Sequence, residues 1–269
     1  MTSKVETLIE IGLITAVLRV DASLVCDECK TQYRLGGLVV KKAFWMAALL
    51  VGLSSLSFAG DTYYTMIQSM SGWQTCDSCA GSGYTPHSMT QHISSPSMTG
   101  NSTKYWLGGS SPYHNAIWWK QLGPNAGASH FIYDLYFYMT APGAAQALEF
   151  DMNQSVNGRK YIFGTECNIR NGSQWDVWNT AGGYWVHTGI GCSAPPAYQW
   201  NHLVLEFQRS GTQTEFISVT LNGHKSYINR SFNTYQVSAS ELNTAVQLDG
   251  DYNQQNYSMW VDKMQVTAW

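Results

Sequence analysis

A chain of 269 residues has room for one large or two modest domains, and its net charge of −3 leaves no excess of cations for a polyanionic partner. Charged residues make up only 12%, about half the usual share, while 11 Trp and 16 Tyr bring the aromatics to 13%. With no Lys/Arg cluster, the composition excludes electrostatic capture of nucleic acid or of an anionic membrane, and a surface made polar by Asn, Gln, Ser, Thr and Gly suits an uncharged polar ligand.

Near the N-terminus, Cys26-Asp-Glu-Cys29 is half of a zinc knuckle with no second pair to complete it. Lys41-Lys42, the apolar run 43–53 and the small residues Ser57 and Ala59 then have the three parts of a secretory signal. The apolar run is too short to anchor the chain across a bilayer. The expected division is therefore residues 1–39 as an extension upstream of the true start, with translation from Val39 or Val40, residues 40–60 as a signal peptide, and residues 61–269 as one domain. The rival is a genuine extension carrying the Cys26 pair. The mature chain is expected outside the cell or in a periplasm, with no membrane insertion.

In residues 61–269 four cysteines remain: Cys76, Cys79, Cys167 and Cys192. An even number in an exported chain reads as disulfides, and the favoured pairs are Cys76–Cys79 and Cys167–Cys192. A redox role for Cys76-Asp-Ser-Cys79 lacks the βαβ setting such a pair needs.

Residues 61–102 are rich in Ser, Thr and Gly and are expected to wrap a sheet edge. Strands follow at 105–108, 116–121 and 130–139, the last alternating Phe131, Tyr133, Leu135, Phe137 and Met139 against Ile132, Asp134, Tyr136 and Tyr138. Further strands are expected at 160–167, 174–178, 183–187, 200–209, 242–248 and 257–269. Residues 215–221 and 224–229 flank Asn222-Gly223, which supplies the positive φ angles of a type I′ hairpin turn. Ser238 followed by Glu241 suggests one helical turn over 238–243. About a dozen strands with almost no helix make an all-β sandwich or jelly roll of two antiparallel sheets.

The segment Ala-Leu-Glu-Phe-Asp-Met-Asn-Gln-Ser, 147–155, carries the chemistry. On a strand Glu149, Asp151 and Asn153 share one face and Leu148, Phe150 and Met152 the other; a bulge after Met152 would bring Gln154 to the acidic face. The run resembles the E-x-D-x-x-E strand of laminarinase- and lichenase-type glucanases of the concanavalin A-like lectin/glucanase superfamily. Trp200-Asn-His-Leu203 is similar to a W-H-x-L strand of that superfamily, and 259–266 to its last strand, where an Asp, here Asp262, is flanked by apolar residues. The resemblance implies Glu149 as nucleophile, Asp151 as its support and an acid/base at the position of Gln154. A glutamine amide cannot donate or take that proton, so the degenerate motif points to binding rather than hydrolysis. Glu166 on the next strand is either a substitute acid or an exposed residue beside a disulfide.

Trp175, Trp178, Tyr184 and Trp185 crowd into 174–185. Trp175 and Trp178 have opposite strand parity, so at least one is exposed, and Trp118-Trp119 likewise divides into one core and one cleft residue. Asp249-Gly-Asp-Tyr-Asn253 reads as a turn, with a structural calcium as the alternative; otherwise no cofactor and no metal is expected. No H-x-H or G-x-S-x-G pattern is present, and Asn101, Asn171 and Asn229 match the glycosylation acceptor pattern.

The reading is a secreted, concanavalin A-like β-sandwich that binds a neutral glycan or polysaccharide on a concave face through Glu149, Asp151, Gln154, Trp119, Trp175, Trp178 and Trp185. The enzyme alternative is a glycoside hydrolase or polysaccharide lyase using Glu149, Asp151 and Glu166. A third alternative is an extracellular module for protein contacts.

Overall fold

The structure is a computed structural model that describes residues 6–11, 14–19, 60–77, 79, 84–109 and 111–269. The Cys26/Cys29 pair and the signal segment up to Ala59 lie outside the described residues. The chain divides into two units, Met1–Phe58 and Ala59–Trp269. In the first, β1 (Glu6–Ile11) and β2 (Ile14–Arg19) form an antiparallel hairpin with Ile11 opposite Ile14.

The second unit is built from two antiparallel sheets. In chain order its strands are β3 (Thr62–Tyr64), β4 (Trp73–Cys76), β5 (His87–Ile93), β6 (Ser102–Leu107), β7 (Asn115–Gln121), β8 (His130–Met139), β9 (Ala145–Val156) and β10 (Arg159–Asn168). They continue as β11 (Gln174–Asn179), β12 (Tyr184–Gly191), β13 (Trp200–Ser210), β14 (Gln213–Leu221), β15 (His224–Asn233), β16 (Tyr235–Gln236), β17 (Glu241–Gly250) and β18 (Tyr257–Ala268). The first sheet runs β12-β11-β10-β9-β17-β7-β4, with β16 beside β10. The second runs β15-β14-β13-β8-β18-β6-β5, with β3 beside β18. The chain crosses repeatedly between sheets, which is the jelly-roll arrangement that the strand pattern predicts.

Alternation explains the core. Every second residue of β8 is buried, from Phe131 to Met139, and Leu203, Leu205 and Phe207 do the same on β13. Phe150 and Phe163 of the first sheet meet Phe131, Phe137 and Phe207 of the second, with ring centroids 5.2 to 5.8 Å apart. Both expected disulfides are formed, Cys76–Cys79 and Cys167–Cys192. Asn222 and Gly223 have φ of 50° and 82°, the pair of positive values that lets the β14–β15 turn close in two residues.

Residues 61–102 run along the sheet edges and there supply β3, β4 and β5, of which β4 and β5 are edge strands. One expectation is corrected: 238–243 forms no helical turn, because β17 begins at Glu241. That carboxylate is held across the sheet by Lys160, Ser155 and Gln121, cross-strand partners that outweigh a local capping signal. Among the described residues the only helical segments are two 3-10 turns, Ile67–Ser69 and Pro142–Ala144, and no helix is long and apolar enough to cross a membrane.

Candidate functional site

The residues of the first sheet that do not face the core lie in rows across its outer surface. Register places Cys76, Ile117, Gln247, Glu149, Glu166, Asp176 and His187 side by side on seven successive strands. The neighbouring row holds Gln74, Trp119, Ala245, Asp151 and Gly164, and on its far side stand Trp178 and Trp185, which face each other across β11 and β12. Beyond the acid row, Asn115 stands opposite Asp249. Strand spacing sets neighbours in a row about 4.8 Å apart.

The centre of this surface is acidic and nearly closed to solvent. Glu149, Asp151 and Glu166 are each 6% exposed, and carboxylate oxygens of Glu149, Glu166 and Asp249 lie within 4.8 Å of one another. Amides hold them in place. Gln247 Nε2 donates to Glu149 and, at 3.0 Å, to Asp249 Oδ1. Asn168 Nδ2 donates to Glu166 Oε1 at 3.2 Å and to Asp176 Oδ2 at 3.0 Å, while His187 Nδ1 lies 2.7 Å from Asp176 Oδ1. The Thr165 backbone N–H reaches Asp151 Oδ1 at 3.3 Å.

Burial and mutual repulsion act on these acids in one direction. Burial, then the charges of Asp151, Asp249 and Glu166, pushes Glu149 well above the usual carboxylate range. Burial, with Asp249 and Asp176 nearby, raises Glu166 to about 9. Asp249 rises to about 7 and Asp151 to about 6, both mainly through burial; hydrogen bonds from Asn115 and Gln247 check the first, and those from Glu149 and the Thr165 amide the second.

The walls are aromatic. Trp178 and Trp185 are half-buried and meet edge to face at 5.2 Å. Gly164 makes room for them beside Asp151: a Cβ at that position would stand 3.0 Å from Trp178 Cβ, 3.3 Å from Trp185 Cη2 and 3.4 Å from Asp151 Oδ1. On the other side Trp119 is half-buried and separated from Asp151 only by the small Ala245, while its neighbour Trp118 is core. In register order the row thus runs Trp119, Ala245, Asp151 and Gly164 towards Trp178 and Trp185, small and acidic residues between indoles.

Of the residues singled out from the sequence, Glu149, Asp151, Glu166, Trp119, Trp178 and Trp185 come together here. Gln154 and Trp175 do not. No bulge follows Met152, because β9 pairs with β10 in unbroken register from Ala147 to Val156, so Gln154 stays on the core side with Phe150 and Met152. There it donates to the carbonyls of Asn125 at 2.7 Å and Ala128 at 3.0 Å, and accepts from Arg209 Nε at 3.0 Å. Trp175 is 4% exposed and packs inside with Leu148, Phe150 and the Cys167–Cys192 bridge. Glu166 is no exposed strand residue either, since it sits directly opposite Glu149. Asp249 and Asp251 also part company: Asp249 joins the cluster, whereas buried Asp251 accepts from Asn253, the Gln255 amide and Arg170 in the turn.

Asp176, His187, Gln247 and Asn115 went unnoticed in the sequence. Parity within W-D-V-W put Asp176 on the face of neither Trp175 nor Val177, a signal that was available; the partners on β7 and β17 carried none.

No protein-family model matches the chain, and no curated protein matches it. Among solved structures it is similar to an endo-β-1,4-glucuronan lyase from the fungus Trichoderma reesei, at 12% identity over 76% of this chain and 94% of that one, with a TM-score of 0.48. It is also similar to a carbohydrate esterase from a Shiga toxin-encoding bacteriophage, at 15% identity over 78% of this chain and 99% of that one, TM-score 0.44. Peanut lectin aligns at 11% identity over 78% and 99%, TM-score 0.42.

Proposed function

We propose that the outer face of the first sheet binds a neutral glycan or polysaccharide outside the cytoplasm. The observation that carries the reading is the row itself: half-buried Trp119 on one side and Trp178 with Trp185 on the other, with Asp151, Ala245 and Gly164 between them. Indole faces offer a plate to the C–H face of a pyranose, and the carboxylates and amides accept from and donate to its hydroxyls. Among the described residues no lysine or arginine pairs with these acids, so no cation is offered there to an anionic chain, which favours neutral sugars. Two disulfides fit an oxidising compartment.

A second reading, glycoside hydrolysis, is favoured by one observation: Glu149 and Glu166 stand opposite each other, with carboxylate oxygens within 4.8 Å. That approaches the separation of about 5 to 5.5 Å that a retaining pair needs. With Gln154 facing the core, the amide at that position no longer argues against it.

One assay separates the two. The purified protein is passed over β-glucans, other neutral polysaccharides and chitin, scoring retention and the release of reducing ends. Retention without release, weakened about tenfold in Trp178→Ala, supports binding. Release that disappears in Glu166→Gln establishes hydrolysis, and neither retention nor release on any neutral polysaccharide overturns both.

A further inference from the structure

The acid cluster poses an electrostatic problem that its hydrogen bonds do not solve. Three carboxylates converge from β9, β10 and β17, and no lysine or arginine among the described residues pairs with Glu149, Glu166 or Asp249. Around them lie further oxygens with no partner. Asn115 is 5% exposed and stands opposite Asp249 across the sheet, and its Oδ1 is buried and bonded to nothing. Gln247, 4% exposed and set between Glu149 and Asp249, has an unpartnered Oε1, and Asp249 Oδ2 is likewise buried and unpartnered. Unpaired buried acceptors cost about 1 to 3 kcal/mol each.

We infer that these residues form a calcium site, with Glu149, Glu166 and Asp249 as carboxylate ligands and the side-chain carbonyls of Asn115 and Gln247 completing an all-oxygen shell. Oxygens bonded to one calcium at about 2.3 to 2.6 Å lie at most about 5 Å from each other, and the carboxylate oxygens meet that bound. Oxygen donors without sulfur or imidazole select a hard cation. Deep burial leaves little room for the several waters that magnesium keeps, which favours calcium. Gln247 Nε2 now lends Glu149 and Asp249 the partial positive charge that a cation supplies in full, and half a turn of its amide presents Oε1 instead. The site differs from the 249–253 turn, where Asp251 is already engaged by Arg170, Asn253 and Gln255. A calcium here occupies Glu149 and Glu166 as ligands, so that the face binds rather than cleaves.

The inference goes beyond the glycan reading and is tested without sugar. Chelator-treated full-length protein is titrated with calcium chloride by calorimetry and melted with and without the ion. Expected is a single site with a dissociation constant in or below the millimolar range and a melting temperature that rises with calcium by mass action. Asp249→Asn and Glu166→Gln should each weaken binding about tenfold or more, while Asp251→Asn should not. No heat and no thermal shift at millimolar calcium in the parent protein overturns the site even if a variant fails to fold. Binding lost only in Asp251→Asn moves the ion to the turn and overturns it equally. Sugar retention measured in chelator then shows whether the glycan reading stands or falls separately.

Discussion

At the scale of single residues, Gln154 is the clearest case of one position serving a different purpose from the one its neighbours suggest. Three residues after Asp151, it reads as a substituted acid; in the fold it ties the 125–128 loop and Arg209 to the core side of β9. Gln154→Leu removes an acceptor from a guanidinium and a donor from two carbonyls, and should destabilise the protein by about 2–4 kcal/mol in denaturant unfolding. Polysaccharide retention should be unchanged in that variant; loss of retention with unchanged stability would put Gln154 back in the site. Glu149 and Asp151 were legible in the sequence because strand alternation assigns them a common face. Gln154 was not, because the presence of a bulge depends on the partner strand.

At the scale of elements, β11 shows how far parity reaches. It predicts that Trp175 and Trp178 face opposite ways, and they do, Trp175 into the core and half-buried Trp178 onto the face it shares with Trp185. It cannot say which is which without knowing the side that β10 presents. Trp175→Ala should therefore cost about 3–5 kcal/mol through the cavity it leaves, and Trp178→Ala less than about half of that. Comparable losses for the two in parallel unfolding curves would contradict the assignment. Pairing between β9 and β10 also brings Glu166 opposite Glu149, a step that the turn at Asn157-Gly158 sets and that a shift of one residue would undo.

At the scale of the whole molecule, Asp262 joins distant parts of the chain. On β18 it accepts from the hydroxyls of Ser97 and Thr99, the amides of Met98 and Thr99, and Gln68 Nε2, fastening early segments to the last strand. Burial alone would raise its pKa, but these hydrogen bonds outweigh it and hold the group below the ordinary aspartate value. A carboxylate with a depressed folded pKa contributes stability that is present above its unfolded value, about 3.9, and is lost as pH falls through the folded value. Asp262→Asn should accordingly lower the denaturant midpoint at pH 7, and the difference from the parent should shrink towards pH 3. A difference that stays constant with pH would show that charge is not what Asp262 contributes.

The sequence by itself determined the class of fold and which residues of a regular strand share a face, because the period of two is a property of the extended backbone and needs no partner. The Asn222-Gly223 turn was legible for an equally local reason, while the favoured disulfide pairs rested on four cysteines in a chain read as exported, which allow three connectivities. Only the tertiary structure decided which strands are neighbours and in what register. That choice alone assembles Glu149, Glu166 and Asp249 from β9, β10 and β17, sets Asn115 against them from β7, and places Trp119 and Trp178 on either side of Asp151. Register across a jelly roll is settled by the packing of two sheets over one core, a long-range energy that no single stretch of the chain encodes.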